Sequence, residues 1–127
     1  MKKGLVLLVL IFGNIISGMA ETKLNIVPTP NKIVMGEGTF MVKRGLSIST
    51  DDVRDFSALY LQEKLNGALD FSVQITTAKG GKNTIIFTTD STIPAEGYKL
   101  TVTPENVTIA SSDMGGKYYG VQTLLQL

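Results

Sequence analysis

The stretch Tyr98-Lys99-Leu100-Thr101-Val102-Thr103-Pro104-Glu105-Asn106-Val107-Thr108-Ile109 is the clearest hairpin in the sequence. Tyr98, Leu100 and Val102 alternate with Lys99 and Thr101, the period of a strand with one face covered. Pro104-Glu105-Asn106 turns the chain, and Val107-Thr108-Ile109 returns along it. Just before it, Thr84-Ile85-Ile86-Phe87-Thr88 is apolar at consecutive positions, as in a central strand covered on both faces. Phe71-Ser72-Val73-Gln74-Ile75 alternates with period two, and Lys79-Gly80-Gly81-Lys82 supplies a flexible turn between these two strands.

Upstream, Leu24-Asn25-Ile26-Val27 reads as a short strand that Pro28 and Pro30 terminate. Gly38-Thr39-Phe40-Met41-Val42 and Leu46-Ser47-Ile48-Ser49 read as two more, with a turn at Lys43-Arg44-Gly45. From Asp52 to Leu69 the spacing predicts a helix. Ser49 and Asp52 stand three residues apart, as in a capping box, and Ala58, Leu61, Leu65, Ala68 and Leu69 fall on one side. Gly67 lies near its expected end. A second helix begins near Gly115 under an Asp113 cap, with Tyr118, Val121 and Leu125 on one face. The expected architecture is α+β: a mostly antiparallel β-sheet with two α-helices packed on one face.

Composition excludes much chemistry. The 127 residues contain no Cys, His or Trp. A Ser-His-Asp or Cys-His nucleophile, a haem held by His or Cys, and the usual His/Cys zinc site therefore have no residues to form from. Twelve basic against eleven acidic residues leave a net charge of +1, not the clustered basic surplus of a nucleic-acid binder.

Lys2 and Lys3 precede an apolar run from Leu5 to Ile16, and Gly18 and Ala20 place small side chains before Glu21. As a helix the run reaches about 18 Å, short of a bilayer core of about 30 Å. Residues 1–20 are thus expected to be a signal peptide, leaving 21–127 as one domain, periplasmic or extracellular. No Cys follows the run for a lipid anchor. Cleavage removes two lysines and no acid, so the charge becomes −1. Without cysteine, the exported domain must hold together by its apolar core.

The candidate chemical motifs are each better explained structurally. Asp51, Asp52 and Asp55 suggest a divalent cation, but acids at a helix start account for them without a ligand, and no calcium-loop spacing surrounds them. Gly115-Gly116-Lys117 suggests a phosphate loop, but Ser111 and Tyr118 stand where that pattern needs Gly and Ser/Thr. Glu96, Glu105 and Asp113 invite a glycosidase acid pair, though nothing in the sequence forces any two together. Asn106-Val107-Thr108 has the glycosylation pattern inside a hairpin that already explains it. Tyr118-Tyr119 suits a sugar platform, while helical spacing makes at least one of them a core residue.

Two ends of the chain carry a family resemblance. Ile26-Val27-Pro28-Thr29-Pro30-Asn31-Lys32-Ile33 followed by Gly38-Thr39-Phe40 resembles the start of family 20 glycoside hydrolases, where a P-x-P strand exit precedes a G-x-F strand. Glu96-Gly97-Tyr98-Lys99-Leu100-Thr101-Val102 and Val107-Thr108-Ile109-Ala110 agree with it. The run Gly115-Gly116-Lys117-Tyr118-Tyr119-Gly120-Val121-Gln122-Thr123-Leu124-Leu125-Gln126-Leu127 looks like the family's bridging helix into its catalytic barrel. The resemblance implies the noncatalytic accessory domain of an exo-acting β-N-acetylhexosaminidase, which removes terminal N-acetylhexosamine from glycans by attack of the substrate's own acetamido oxygen. The family's Asp-Glu pair belongs to the barrel, so no catalytic, cofactor or metal residue carries over, and the chain alone is expected to be inactive. Its implied partner is the barrel, met through the C-terminal helix, whose Leu124, Leu125 and Leu127 look for a further surface; glycan is met only through the parent enzyme. The alternatives are a free-standing exported carbohydrate-binding or interaction module, and the related accessory domain of another glycosidase family, such as α-glucuronidases or family 84 enzymes. The Gln-Thr-Leu-Leu-Gln-Leu ending favours family 20 over that last reading.

Overall fold

A computed structural model describes residues 24–127. The expected signal peptide and its cleavage site lie outside the described residues. Five strands and two helices follow in the order β1 (Ser47–Ser49), α1 (Phe56–Ala68), β2 (Gln74–Thr76), β3 (Thr84–Thr89), β4 (Tyr98–Val102), β5 (Asn106–Ser111) and α2 (Met114–Leu125). The strands form one sheet in the order β2-β1-β3-β5-β4.

The α+β class holds, but the sheet is mostly parallel rather than mostly antiparallel. β1 pairs with β2 and with β3 in parallel, and β3 with β5 in parallel. Among the described residues only the β4–β5 hairpin is antiparallel, in the register Leu100↔Ile109 and Val102↔Val107. The physical reason is the connection between β1 and β2. A strand joined to its neighbour through a helix returns to the same edge and runs the same way, whereas only a tight turn reverses it.

One face of the sheet carries the core. Ile48, Ile85 and Val107 stand in register across β1, β3 and β5, and Phe87 stands opposite Ile109. All are buried and meet Leu61 of α1 and Val121 of α2. β3 is the middle strand, as its apolar run predicts, with Ile86 half-buried on the opposite face.

Two expected strands are absent. Leu24–Val27 and Gly38–Val42 run outside any ladder, although Ile26 and Phe40 are buried. Pro28 and Pro30 lack backbone donors, and the first stretch is held by a side chain instead. The Gln126 amide donates to the Val27 carbonyl at 3.0 Å and accepts from its N–H at 2.9 Å.

α1 starts later than its acids suggest. Asp55 is the cap, its carboxylate accepting from the N–H groups of Ser57 and Ala58 at 2.9 and 3.2 Å. Asp52 lies before the helix and takes the Arg54 N–H; Ser49 ends β1 and donates its hydroxyl to Ala78 O. Ala58 and Leu61 are buried and Leu65 half-buried as predicted, but Ala68 in the last turn is exposed. α2 begins under Asp113, as read from the sequence. Its Leu124 and Leu125 pack against the chain's own core and, with Phe40, Leu46 and Leu61, line a small cavity of about 120 Å³.

Candidate functional site

α1 and α2 each begin past the carboxyl end of a strand, β1 and β5, and lie over the core face of the sheet. α2 lies close against the sheet because two glycines face it. A Cβ on Gly116 would stand 2.0 Å from Gly97 O, and one on Gly120 would stand 2.6 Å from Ile109 Cγ2. Gly116 therefore serves close backbone packing, and its N–H is taken by Asp113 Oδ1 at 2.8 Å. The phosphate-loop reading fails on both counts.

Lys117 from the same motif turns to α1. Its Nζ donates to Asp55 Oδ2 at 2.8 Å, with the side chains only 18 % and 10 % exposed. One carboxylate thus caps α1 and anchors α2. The other acids of the first cluster part company: Asp51 pairs with Lys79 and Asp52 with Arg54. Among the described residues no three acids converge in a metal-holding group.

Asp113 accepts from Gly116 N–H and from Glu96 N–H, and these two bonds, Gly116 first, hold its carboxyl below the usual range. Glu96 sits beside it with φ +61°. Glu105 lies past the far end of β4, paired with Lys82 at 2.9 Å. A five-residue strand separates the two glutamates by about 17 Å, far beyond a retaining glycosidase pair. Asn106 accepts from the Thr103 hydroxyl within the hairpin and donates to the Gly81 carbonyl in the loop before β3.

The two tyrosines of α2 divide. Tyr118 is half-buried against Phe56 and Tyr60 of α1, at centroid separations of 6.1 and 5.6 Å. Phe56 and Tyr60 stack on one another at 6.2 Å and 19°. Tyr119 is 42 % exposed. Phe56 at 57 % and Met114 at 67 % stand out from the helices, with Val53 and Leu59 also exposed. Sequence reading missed Phe56 and Tyr60; their i, i+4 spacing on α1 was the available signal. This face of α1 and the start of α2 is an apolar and aromatic surface.

A second feature lies at the β4 edge. A groove of about 1000 Å³ runs between residues 28–34, the stretch from Ile93 to Thr101, and Tyr119, Gln122 and Thr123 of α2. Tyr98 and Thr123 are joined through their hydroxyls at its base.

This arrangement is that of a known domain class. Residues 23–127 match glycosyl hydrolase family 20, domain 2, and the chain belongs to that family. Over 109 residues it is 32 % identical to the beta-hexosaminidase of Porphyromonas gingivalis, covering 82 % of this chain and 14 % of that protein. The beta-N-acetylhexosaminidase of Bacteroides fragilis aligns with a TM-score of 0.66 at 27 % identity, over 80 % of this chain and 20 % of that one. The exo beta-N-acetylglucosaminidase of Vibrio harveyi, solved with N-acetylglucosamine, aligns at 0.64 and 25 % identity, over 91 % of this chain and 17 % of that one. The chain thus spans about a seventh of the length of the first of these relatives.

Proposed function

We propose that this chain is the accessory domain of an exported β-N-acetylhexosaminidase, a hydrolase acting on terminal N-acetylhexosamine. It supports the catalytic barrel through its helix layer and does not itself cleave glycan. The observation that carries this is the exposed face of Phe56, Leu59 and Met114 on two helices whose opposite sides already fill the core. Leu124 and Leu125 are largely used by the domain's own core, so the contribution of α2 to docking lies mainly in its first turns. Covering Phe56 and Met114 would each contribute about 1.5–3 kcal/mol, comparable to what a domain interface requires. The leader from Lys2 to Ala20 supports export, to the periplasm or beyond.

The test is turnover of an aryl N-acetylglucosaminide. The chain alone should give none above a denatured control. Residues 24–127 grafted in place of the matching segment of the Porphyromonas gingivalis enzyme should restore a soluble, active protein. Turnover by the chain alone, abolished by a single Asp or Glu substitution, would overturn the noncatalytic reading.

A further inference from the structure

β4 is an edge strand, and among the described residues its outer side is unpaired. Thr103 N–H donates to Asn106 O across the hairpin turn, which fixes the alternation along the ladder. Lys99 and Thr101 aim their backbone groups at β5, so Tyr98, Leu100 and Val102 aim theirs outward. Among the described residues none of these outward groups has a hydrogen-bond partner in the loops or side chains around them. Those of Tyr98 and Leu100 face the groove of about 1000 Å³, whose far wall is residues 28–34. That wall is fixed at both ends, by Gln126 on Val27 and by Gly38 packed against Pro104.

Two side chains of α2 complete the groove. Tyr119 exposes its ring, and Gln122 keeps its amide nitrogen buried without a hydrogen-bond partner. A row of peptide donors and acceptors, an aromatic ring and a side-chain amide together ask for a guest with both an amide and a flat C–H face. Residues 28–34 add Thr29, between Pro28 and Pro30, and Asn31 to the polar lining.

We propose that this groove binds the N-acetylhexosamine units of a glycan, as a site separate from any catalytic centre. The acetamido group pairs with the outward N–H and C=O of β4 as a neighbouring peptide would. The sugar's C–H face lies on Tyr119. The volume holds two or three sugar units. The choice of sugar rests on the hexosaminidase reading above; the groove and its open edge do not.

The experiment is a titration of the isotope-labelled chain with triacetylchitotriose, with cellotriose, which lacks the acetamido groups, as control. Triacetylchitotriose should shift the amide signals of Tyr98 and Leu100 and the ring signals of Tyr119, and cellotriose should bind about tenfold more weakly or not at all. Tyr119→Ala, at an exposed position, should keep the melting temperature and weaken the trisaccharide about tenfold. Equal binding of both sugars, no binding of either, or shifts that leave β4 and Tyr119 untouched would overturn the proposal. So would tight capture of an extended peptide, such as one copying residues 31–37, by the β4 edge in place of sugar. None of these results would alter the activity of the grafted enzyme, which tests the domain reading separately.

Discussion

α1 and α2 pack on the same face of one sheet, yet a glycine means opposite things in each. Gly67, in the last turn of α1, has nothing within 4 Å of where a Cβ would stand. Gly116 and Gly120 of α2 have backbone and side-chain atoms of the sheet layer inside 3 Å. α2 is therefore seated by close approach, and its position leaves little freedom. α1 stands further off, on side chains, and is tied at its start by one ion pair. The part of the helix layer that is free to present an aromatic face is the part not committed to the sheet.

The sharpest way to break this contrast is at Gly116. Gly116→Ala drives a Cβ into Gly97 O, a backbone atom that cannot rotate away, and should cost about 3 kcal/mol or more in thermal or urea unfolding. A neutral result would mean that α2 does not sit as close as described. Asp55 is next. Asp55→Ala removes the α1 cap and leaves Lys117 buried without its partner, for about 3 kcal/mol. Lys117→Met leaves Asp55 with its two N–H bonds, so it should cost less, about 1–2 kcal/mol in the same assay.

Acid should act more gently. Backbone N–H groups of Arg54 and Gly116 and the Thr92 hydroxyl are the main causes holding Asp52, Asp113 and Asp90 below the usual carboxylate range. A lowered folded pKa adds stability above the unfolded value and loses it as pH falls through the folded one. The melting temperature should hold from neutral pH to about 5 and decline below about 4, with a shallower decline in Asp113→Asn. The smallest effect has the opposite sign. Gly67→Ala should stabilise the chain by about 0.5–1 kcal/mol, because open space and a helical backbone favour alanine.

Local pattern carried what was legible. The hairpin, the central β3 and the Asp113 cap are read from alternation, a continuous apolar run and one acid before a helix, and each depends on neighbours in sequence. Strand direction does not. Alternation tells which face a side chain takes, while parallel pairing of β1 with β2 follows from the α1 crossover between them. The Leu24–Val27 and Gly38–Val42 stretches show the same alternation and bury Ile26 and Phe40, but among the described residues no strand pairs with them. Among Asp51, Asp52 and Asp55, only contact with Lys117 distinguishes the anchor, and that contact spans 62 residues of sequence. The groove at β4 depends on an edge that no linear pattern reveals.

The central claim is that the exposed face of the helix layer is a docking face, and a double substitution in two settings tests it most directly. Phe56→Asp with Met114→Asp should lower the melting temperature of the isolated chain by only a few degrees, through loss of the Phe56 contacts with Tyr60 and Tyr118. In the grafted hexosaminidase the same pair should lower the melting temperature by several degrees more than that, through the further loss of about 3–6 kcal/mol of burial. Equal effects in the isolated chain and the graft would contradict the account, because the face would then have no partner to lose.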